Sequence, residues 1–140
     1  MILLVTMMVF LFPYVGHAQL NITNKSDKIE RISSARTGFI SLNKQGDIYY
    51  VGLHSSNQFD NPGIFYLGKD KESSLATLND LLTLQETLKK GEYVDVKDIS
   101  GKKISISQAM TGNLAFKFSD MAGICYLHKN EIKKFINALK

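Results

Sequence analysis

The sequence predicts an α+β fold in which two β-meander-plus-helix repeats pack as a pseudo-twofold pair, with antiparallel sheets and two helices. The order of strands and helix is the same in each half of the chain. A short motif recurs before each helix, and the apolar residues of the two helices keep the same phase. The composition, 44% hydrophobic and 21% charged, is that of a globular chain and excludes disordered and fibrous proteins.

The first repeat contains two β-rich runs joined by a short glycine-containing link, which is typical of a hairpin. These runs are Phe39 to Asn43 and Asp47 to His54. After a loop over 57–62, Gly63 to Gly68 is a compact strand, and Asp70 is expected to cap the helix that comes next. The leucines of this helix recur at helical spacing: Leu75, Leu78, Leu81, Leu82 and Leu88.

The second repeat has the same sequence of elements. Its predicted strands are Tyr93 to Val96, Ile104 to Gln108, Asn113 to Phe118 and Gly123 to Leu127. Asn130 then opens a terminal helix. The apolar residues of that helix lie one above another on a single face: Ile132, Phe135, Ile136 and Leu139.

The motif GIFYLGK, residues 63–69, recurs as GICYLHK over 123–129. Only two positions differ, and at the first of them Cys125 replaces Phe65. Because each copy is the last strand before a helix, duplication explains the match better than chance does. Neither copy buries its own sheet and helix well at this size, so we expect the two to share one core.

The N-terminal segment, residues 1–18, has the features of a secretory signal peptide. An apolar run is followed by Pro13 and by small residues at Gly16 and Ala18, which predicts cleavage after Ala18. The run is too short to cross a hydrocarbon core of about 30 Å, so we expect no stable membrane span after cleavage. A secreted or periplasmic location follows. A retained anchor is the alternative, because neither Lys nor Arg precedes the apolar run.

We divide the rest of the chain into a flexible N-terminal arm, 19–28, and a single globular domain, 29–140. The first repeat covers 29–90 and the second covers 91–140. Cys125 is the only cysteine, so a disulfide framework is excluded and packing must hold the exported domain together.

The alternation of side chains along the strands predicts which residues face solvent. Tyr50, Tyr66 and Tyr126 fall on the strand faces opposite the apolar residues, and Lys117 shares that outer side. We therefore predict a binding surface formed by these four residues. The alternative is that the tyrosines are ordinary half-buried strand residues.

Two copies of a β-meander followed by a helix resemble the superfamily of single-stranded nucleic-acid-binding proteins that includes Whirly and Pur-alpha. The resemblance is one of topology over Ile29 to Lys140 and carries no diagnostic motif. It implies that single strands lie across the sheets with bases stacked on aromatic side chains. The formal charge of +4 and the predicted export both disfavour a nucleic-acid partner.

The residue types needed for catalysis or metal binding are present without a pattern that organises them. His54, Ser55 and Ser56, with Asp47 or Asp60 nearby, could serve a small hydrolase, but no strand-turn-helix elbow places a serine. Cys125 and His128 could form half a metal site, yet the repeat marks Cys125 as a small core residue. We expect no enzyme activity, no metal and no cofactor.

The sequence is thus interpreted as that of an exported, non-enzymatic binding or interaction protein with an unknown protein or polymer ligand. The alternative is a single-stranded nucleic-acid-binding protein that uses the exposed sheet faces.

Overall fold

The computed structural model describes residues 28–140, which form two four-stranded antiparallel sheets and two α-helices. The predicted α+β class is confirmed. The predicted signal peptide, 1–18, and all of the predicted arm except Lys28 lie outside the described residues. Within 28–140, neither helix has the length and apolar character needed to cross a bilayer.

The first half is a meander in which each strand pairs with the next along the chain. Asp70 caps its helix as predicted, since the carboxylate accepts a hydrogen bond from the Ser73 amide. A short 3-10 turn over Arg36–Gly38 joins the first two strands. The elements are β1 (Ile29–Ala35), β2 (Ile40–Gln45), β3 (Ile48–Leu53), β4 (Gly63–Gly68) and α1 (Lys71–Thr87).

The first strand, β1, has no counterpart among the delimited strands of the sequence prediction. Its C-terminal residues Ser33, Ser34 and Ala35 lack the β-branched or aromatic character that marks strands in a sequence. Pairing with β2 holds them extended, and a bulge between Arg31 and Ser33 shifts the register. The first sheet therefore has the same number of strands as the second.

The second half repeats this order. Its helix begins at Lys129, one residue before the predicted start. The elements are β5 (Tyr93–Lys97), β6 (Lys103–Gln108), β7 (Leu114–Phe118), β8 (Cys125–Leu127) and α2 (Lys129–Leu139).

One hydrophobic core joins the two halves. The inner faces of both sheets and the apolar stripes of both helices belong to a single cluster, in which Leu78 and Phe135 are fully buried. Helix α1 packs against β4 and against α2, and α2 also contacts β1. The apolar faces of the two halves are thus buried against each other, as the repeat predicts.

The repeated motif occupies equivalent places in the two halves. Residues 63–67 and 123–127 share one burial pattern, with the glycine, the third residue and the leucine buried and the isoleucine and tyrosine half-buried. Cys125 thus takes the core position of Phe65, and burial raises the pKa of its thiol to about 11. A small inward side chain at this position is compatible with the core of the second half.

The two halves are also joined by reciprocal hydrogen bonds at their first hairpins. The turn between β1 and β2 places Arg36 against the second half, where its Nη2 donates to the Tyr126 carbonyl oxygen at 2.6 Å. The turn after β5 places Asp98 against the first half, where its Oδ2 accepts from the Tyr66 amide at 3.3 Å. Each repeat therefore contacts the equivalent tyrosine of the other, which is the relation that a pseudo-twofold axis produces.

A short strand extension closes one junction between the sheets. Ser56 lies beyond the end of β3, and its amide donates to the Ile124 carbonyl while its Oγ accepts from the Ile124 amide, both at 2.9 Å. Asp60 accepts from the Ser55 hydroxyl and from the Gly123 amide, each at 2.7 Å. These bonds hold the pKa of Asp60 below its ordinary value. The loop after β3 is therefore tied to the start of β8.

Candidate functional site

The outer face of the second sheet carries a cavity of about 600 Å³, hereafter the outer-face cavity. Its floor comes from one row across three neighbouring strands, where Ser107 pairs with Ala115 and Ala115 pairs with Tyr126. The cavity is predominantly apolar. Six of its lining residues define it: Arg36, Ser107, Met110, Ala115, Ile124 and Tyr126.

The floor is low because small residues lie between two tyrosines. Tyr93 on β5 pairs with Ser107, so it stands at one end of the row and Tyr126 stands at the other. Strands are about 4.8 Å apart, so roughly 14 Å separates the two tyrosine backbones. Ser107 and Ala115 fill little of the space between them, and a ligand can lie across the row.

The corresponding row of the first sheet is filled by larger side chains. There Arg31 pairs with Asn43, Asn43 with Tyr50 and Tyr50 with Tyr66. With Tyr66 aligned to the equivalent tyrosine of the other repeat, Tyr50 occupies the place of Ala115. The exchange of a tyrosine for an alanine gives the second sheet a lower floor, and Ala115, itself only 8% exposed, lies at the bottom of the cavity.

A loop from 109 to 113 forms one wall of the cavity and is held by two glutamines. The side-chain amides of Gln85 on α1 and Gln108 on β6 both donate to the Gly112 carbonyl oxygen. Met110 is 82% exposed at this wall. The wall is therefore anchored to the helix and the sheet, while a flexible thioether side chain projects from it.

Arg36 comes from the other repeat and also lines the cavity. Its Nε donates to Glu131 Oε2 at 2.7 Å, and its Nη2 donates to Glu131 Oε1 at 2.6 Å in addition to the Tyr126 carbonyl. Among residues 28–140, no hydrogen-bond partner is found for Nη1. The two N–H groups on Nη1 of this cavity-lining residue are therefore available to a ligand as well as to water.

The backbone at Arg36 is in an uncommon conformation. Arg36 and Thr37 both have positive φ, 48° and 56°, although neither is glycine. Such angles are costly for residues with a Cβ and persist where the surrounding structure requires them. The bonds to Glu131 and Tyr126 supply that requirement.

Glu131 is a nearly buried carboxylate that the cavity wall holds ionised. Burial raises its pKa, but the hydrogen bonds from Arg36 and from the His128 amide, the latter at 2.8 Å, outweigh burial and leave the pKa below its ordinary value. The His128 ring lines the cavity and its Nδ1 is 3.9 Å from Glu131 Oε1. The Arg36–Glu131 pair is therefore close to neutral overall.

Of the four predicted binding residues, only Tyr126 lines the outer-face cavity. Lys117 lies on the same side of the sheet, but its Nζ donates to the carbonyl oxygens of Met121 and Ala122, at 3.2 and 3.1 Å. Its ammonium group is thus engaged with the chain segment before β8.

The predicted exposure of Tyr50 is wrong. Tyr50 does lie on the face opposite Val51, but it is only 8% exposed, because it packs among its cross-strand neighbours with its ring centroid 5.9 Å from that of Tyr66. Burial also raises the pKa of its hydroxyl. Tyr50 offers no free stacking surface.

Tyr66 lines a second, smaller cavity of about 200 Å³. Ile64, Lys102 and Asp120 also line it. Tyr66 and Tyr126 therefore belong to two separate cavities on two sheets, and the four predicted residues do not form one surface.

The side chains considered for hydrolysis do not form a catalytic group. The His54 ring stacks on Phe39 with 4.6 Å between centroids, while the Ser55 hydroxyl donates to Asp60. Within the described part of the chain, no group of three or more His, Cys, Asp or Glu residues could hold a metal ion.

The sequence reasoning missed Arg36, Met110 and the small floor residues. Alternation along β6 and β7 places Ser107 and Ala115 on the outer face, and that signal could have found the floor. Arg36 reaches the site from the other repeat, and no local sequence pattern predicts such a contact.

Comparison with protein-family models, curated proteins and solved structures finds no match for this chain.

Proposed function

We propose that this protein is an exported, non-enzymatic binding module whose ligand occupies the outer-face cavity. The observation that carries the proposal is the open floor of Ser107 and Ala115 at a position where the other repeat has Asn43 and Tyr50. The volume of the outer-face cavity, about 600 Å³, falls in the usual range of small-molecule sites. Apolar lining with a few polar groups is also typical of such sites.

A single-stranded nucleic-acid ligand is less well supported. Stacking requires exposed aromatic rings on one surface, and of the three tyrosines predicted for that role Tyr50 is buried while Tyr66 and Tyr126 lie in different cavities. The ammonium of Lys117 is bound to backbone carbonyls. The modest formal charge of +4 points the same way.

The site is tested by filling its floor with the residue of the other repeat. Ala115→Tyr restores the tyrosine that the first sheet carries at the equivalent position. We expect wild-type protein to bind the amphipathic dye 8-anilinonaphthalene-1-sulfonate saturably, and Ala115→Tyr to weaken binding by about tenfold or more, about 1.4 kcal/mol.

The matched control is Ala76→Tyr, which adds the same ring to an exposed position of α1. It should bind the dye as wild type does, and circular dichroism melting should show that both variants are folded. Equal dye binding by all three proteins would contradict the assignment of the cavity as the binding site.

A labelled single-stranded oligonucleotide tests the alternative. Affinity that falls steeply with salt, and that Ala115→Tyr abolishes, would favour a nucleic-acid ligand over a small molecule. We expect no binding at low salt.

Export is tested separately by recovering the protein from its native host. The signal peptide predicts that the secreted or periplasmic form begins at Gln19. An intact Met1 on membrane-bound protein would instead support a retained anchor.

A further inference from the structure

We propose that the ligand of the outer-face cavity is a small amphipathic molecule whose apolar body lies over the Ser107–Ala115 floor and whose carbonyl or carboxylate oxygen accepts a hydrogen bond from Arg36 Nη1. This inference rests on the function proposed above and adds the chemical class of the ligand.

The donor inventory of Arg36 favours an acceptor in the ligand, because Nη1 has no protein partner among residues 28–140 and is accessible at the surface. A guanidinium carries five N–H groups and no acceptor. The Nε group and both Nη2 groups are engaged with Glu131 and the Tyr126 carbonyl. The two groups on Nη1 remain, so a ligand oxygen satisfies them and a ligand ammonium does not.

Arg36 is fixed before any ligand arrives. Three hydrogen bonds hold its guanidinium, and the positive φ angles of Arg36 and Thr37 define the turn that presents it. Strained backbone of this kind is concentrated at ligand clamps and switch regions. Binding to a preorganised donor orders no additional long side chain, which reduces the entropic cost of association.

The remaining walls indicate an apolar body. Ile124 and Ala115 contribute aliphatic surface, and Tyr126 contributes a ring. Met110 extends largely exposed from the loop wall, and its flexible thioether can adapt to ligands of different shape.

The head group of the ligand need not be charged. Glu131 already neutralises Arg36, with its carboxylate in a side-on pair with the guanidinium. Carbonyl and carboxylate oxygens can both accept a hydrogen bond from Arg36 Nη1. A carboxylate would in addition experience repulsion from Glu131, and this difference can be measured.

The chain contains no tryptophan, so one introduced indole reports on its surroundings without background. Met110→Trp places the indole at the cavity wall. Octanamide, octanoate and octylamine share one apolar body and differ in the head group. We expect the amide and the carboxylate to shift the indole emission and to bind about tenfold more tightly than the amine.

Phe59→Trp is the matched control, because Phe59 is 86% exposed and Met110 is 82% exposed. Its emission should not respond to the three compounds. If none of them shifts the Met110→Trp emission, small amphipathic ligands do not occupy the cavity and the proposed function itself fails. If the amine binds as tightly as the others, the cavity binds ligands but the inference about the head group is overturned.

Glu131→Gln in the Met110→Trp background tests the position of the head group. The glutamine side chain retains an oxygen that can accept a hydrogen bond from Arg36, and the substitution removes the negative charge. We expect the affinity for octanoate to rise about fivefold relative to octanamide. An unchanged ratio in a folded variant would show that the head group does not lie beside the Arg36–Glu131 pair, and would overturn the inference.

Discussion

Arg36 lies in a turn, yet its contact with the other repeat should contribute strongly to the free energy of unfolding. Arg36→Met keeps a long apolar stem and removes the guanidinium. Glu131, whose side chain is 8% exposed, would then retain the His128 amide as its remaining donor among the described residues. The Tyr126 carbonyl would lose the hydrogen bond from Nη2.

The expected cost is set by burial on the two sides of the pair. Breaking a fully buried ion pair costs about 3–5 kcal/mol, because the partner is left as an unpaired charge. The Arg36 side chain is 35% exposed, so water can enter its place and solvate part of the Glu131 carboxylate. We therefore expect Arg36→Met to lower the free energy of unfolding by about 2 kcal/mol at pH 7.

Urea denaturation followed by circular dichroism measures this loss, and a solvent-exposed ion pair supplies the control. Lys103 Nζ lies 4.0 Å from Asp95 Oδ2, and the two side chains are 69% and 46% exposed. Lys103→Met should cost less than about 0.5 kcal/mol. If the two variants lose equal stability, the Arg36–Glu131 pair does not join the repeats as we describe.

The same pair gives a pH dependence of defined sign. The pKa of Glu131 is lower in the folded protein than in the unfolded chain, so its contribution is present at neutral pH and is lost as pH falls through the folded value. Arg36→Met removes the bonds that lower this pKa. The difference in stability between wild type and variant should therefore shrink as the pH falls through the acidic range in which Glu131 becomes protonated, and a difference that grows would refute the reasoning.

Three further substitutions test the packing of the repeats. Gly123→Ala would place a Cβ 2.6 Å from the Asn57 backbone nitrogen, and urea denaturation should show a loss of about 1–3 kcal/mol; wild-type stability would contradict this close approach. Gln85→Met removes a buried amide oxygen that has no partner within residues 28–140, while the Gly112 carbonyl keeps its other glutamine donor; the same assay should show no loss, or a gain of up to about 1 kcal/mol. Phe135→Asp buries an unpaired carboxylate in the shared core and should abolish cooperative thermal unfolding, so a melting curve like that of wild type would refute the core assignment.

The sequence was sufficient for the architecture because the relevant signals are local. Period-two alternation locates the strands, the side chain of Asp70 marks the start of α1, and the repeated motif aligns β4 with β8. The first two signals depend on residues close together in the chain, and the third needs only a comparison of two short segments, 63–69 and 123–129. The bounds of β1 were not predicted, because its extended conformation depends on pairing with β2 rather than on its own composition.

The candidate site was only partly predictable because it depends on contacts between distant residues. Alternation correctly places Tyr50 on the outer face, but exposure on that face depends on the cross-strand neighbours Asn43 and Tyr66. The same alternation places Tyr126 on the outer face, where it lines the outer-face cavity. Arg36 could not be, since its role requires a strained turn of one repeat to meet the helix start of the other.

The two repeats differ in a way that leaves a cavity on one sheet face and a filled surface on the other. Both retain the tyrosine of the repeated motif, and both receive a polar side chain from the first hairpin of the other half. The floor beside that tyrosine differs, since Tyr50 covers it in the first sheet and Ala115 leaves it open in the second. Because that alanine lies on the outer face, its small size leaves the shared core intact and opens space at the surface. One half thus has a filled sheet face while the other has a cavity, and Ala115→Tyr tests this relation by making the second floor resemble the first.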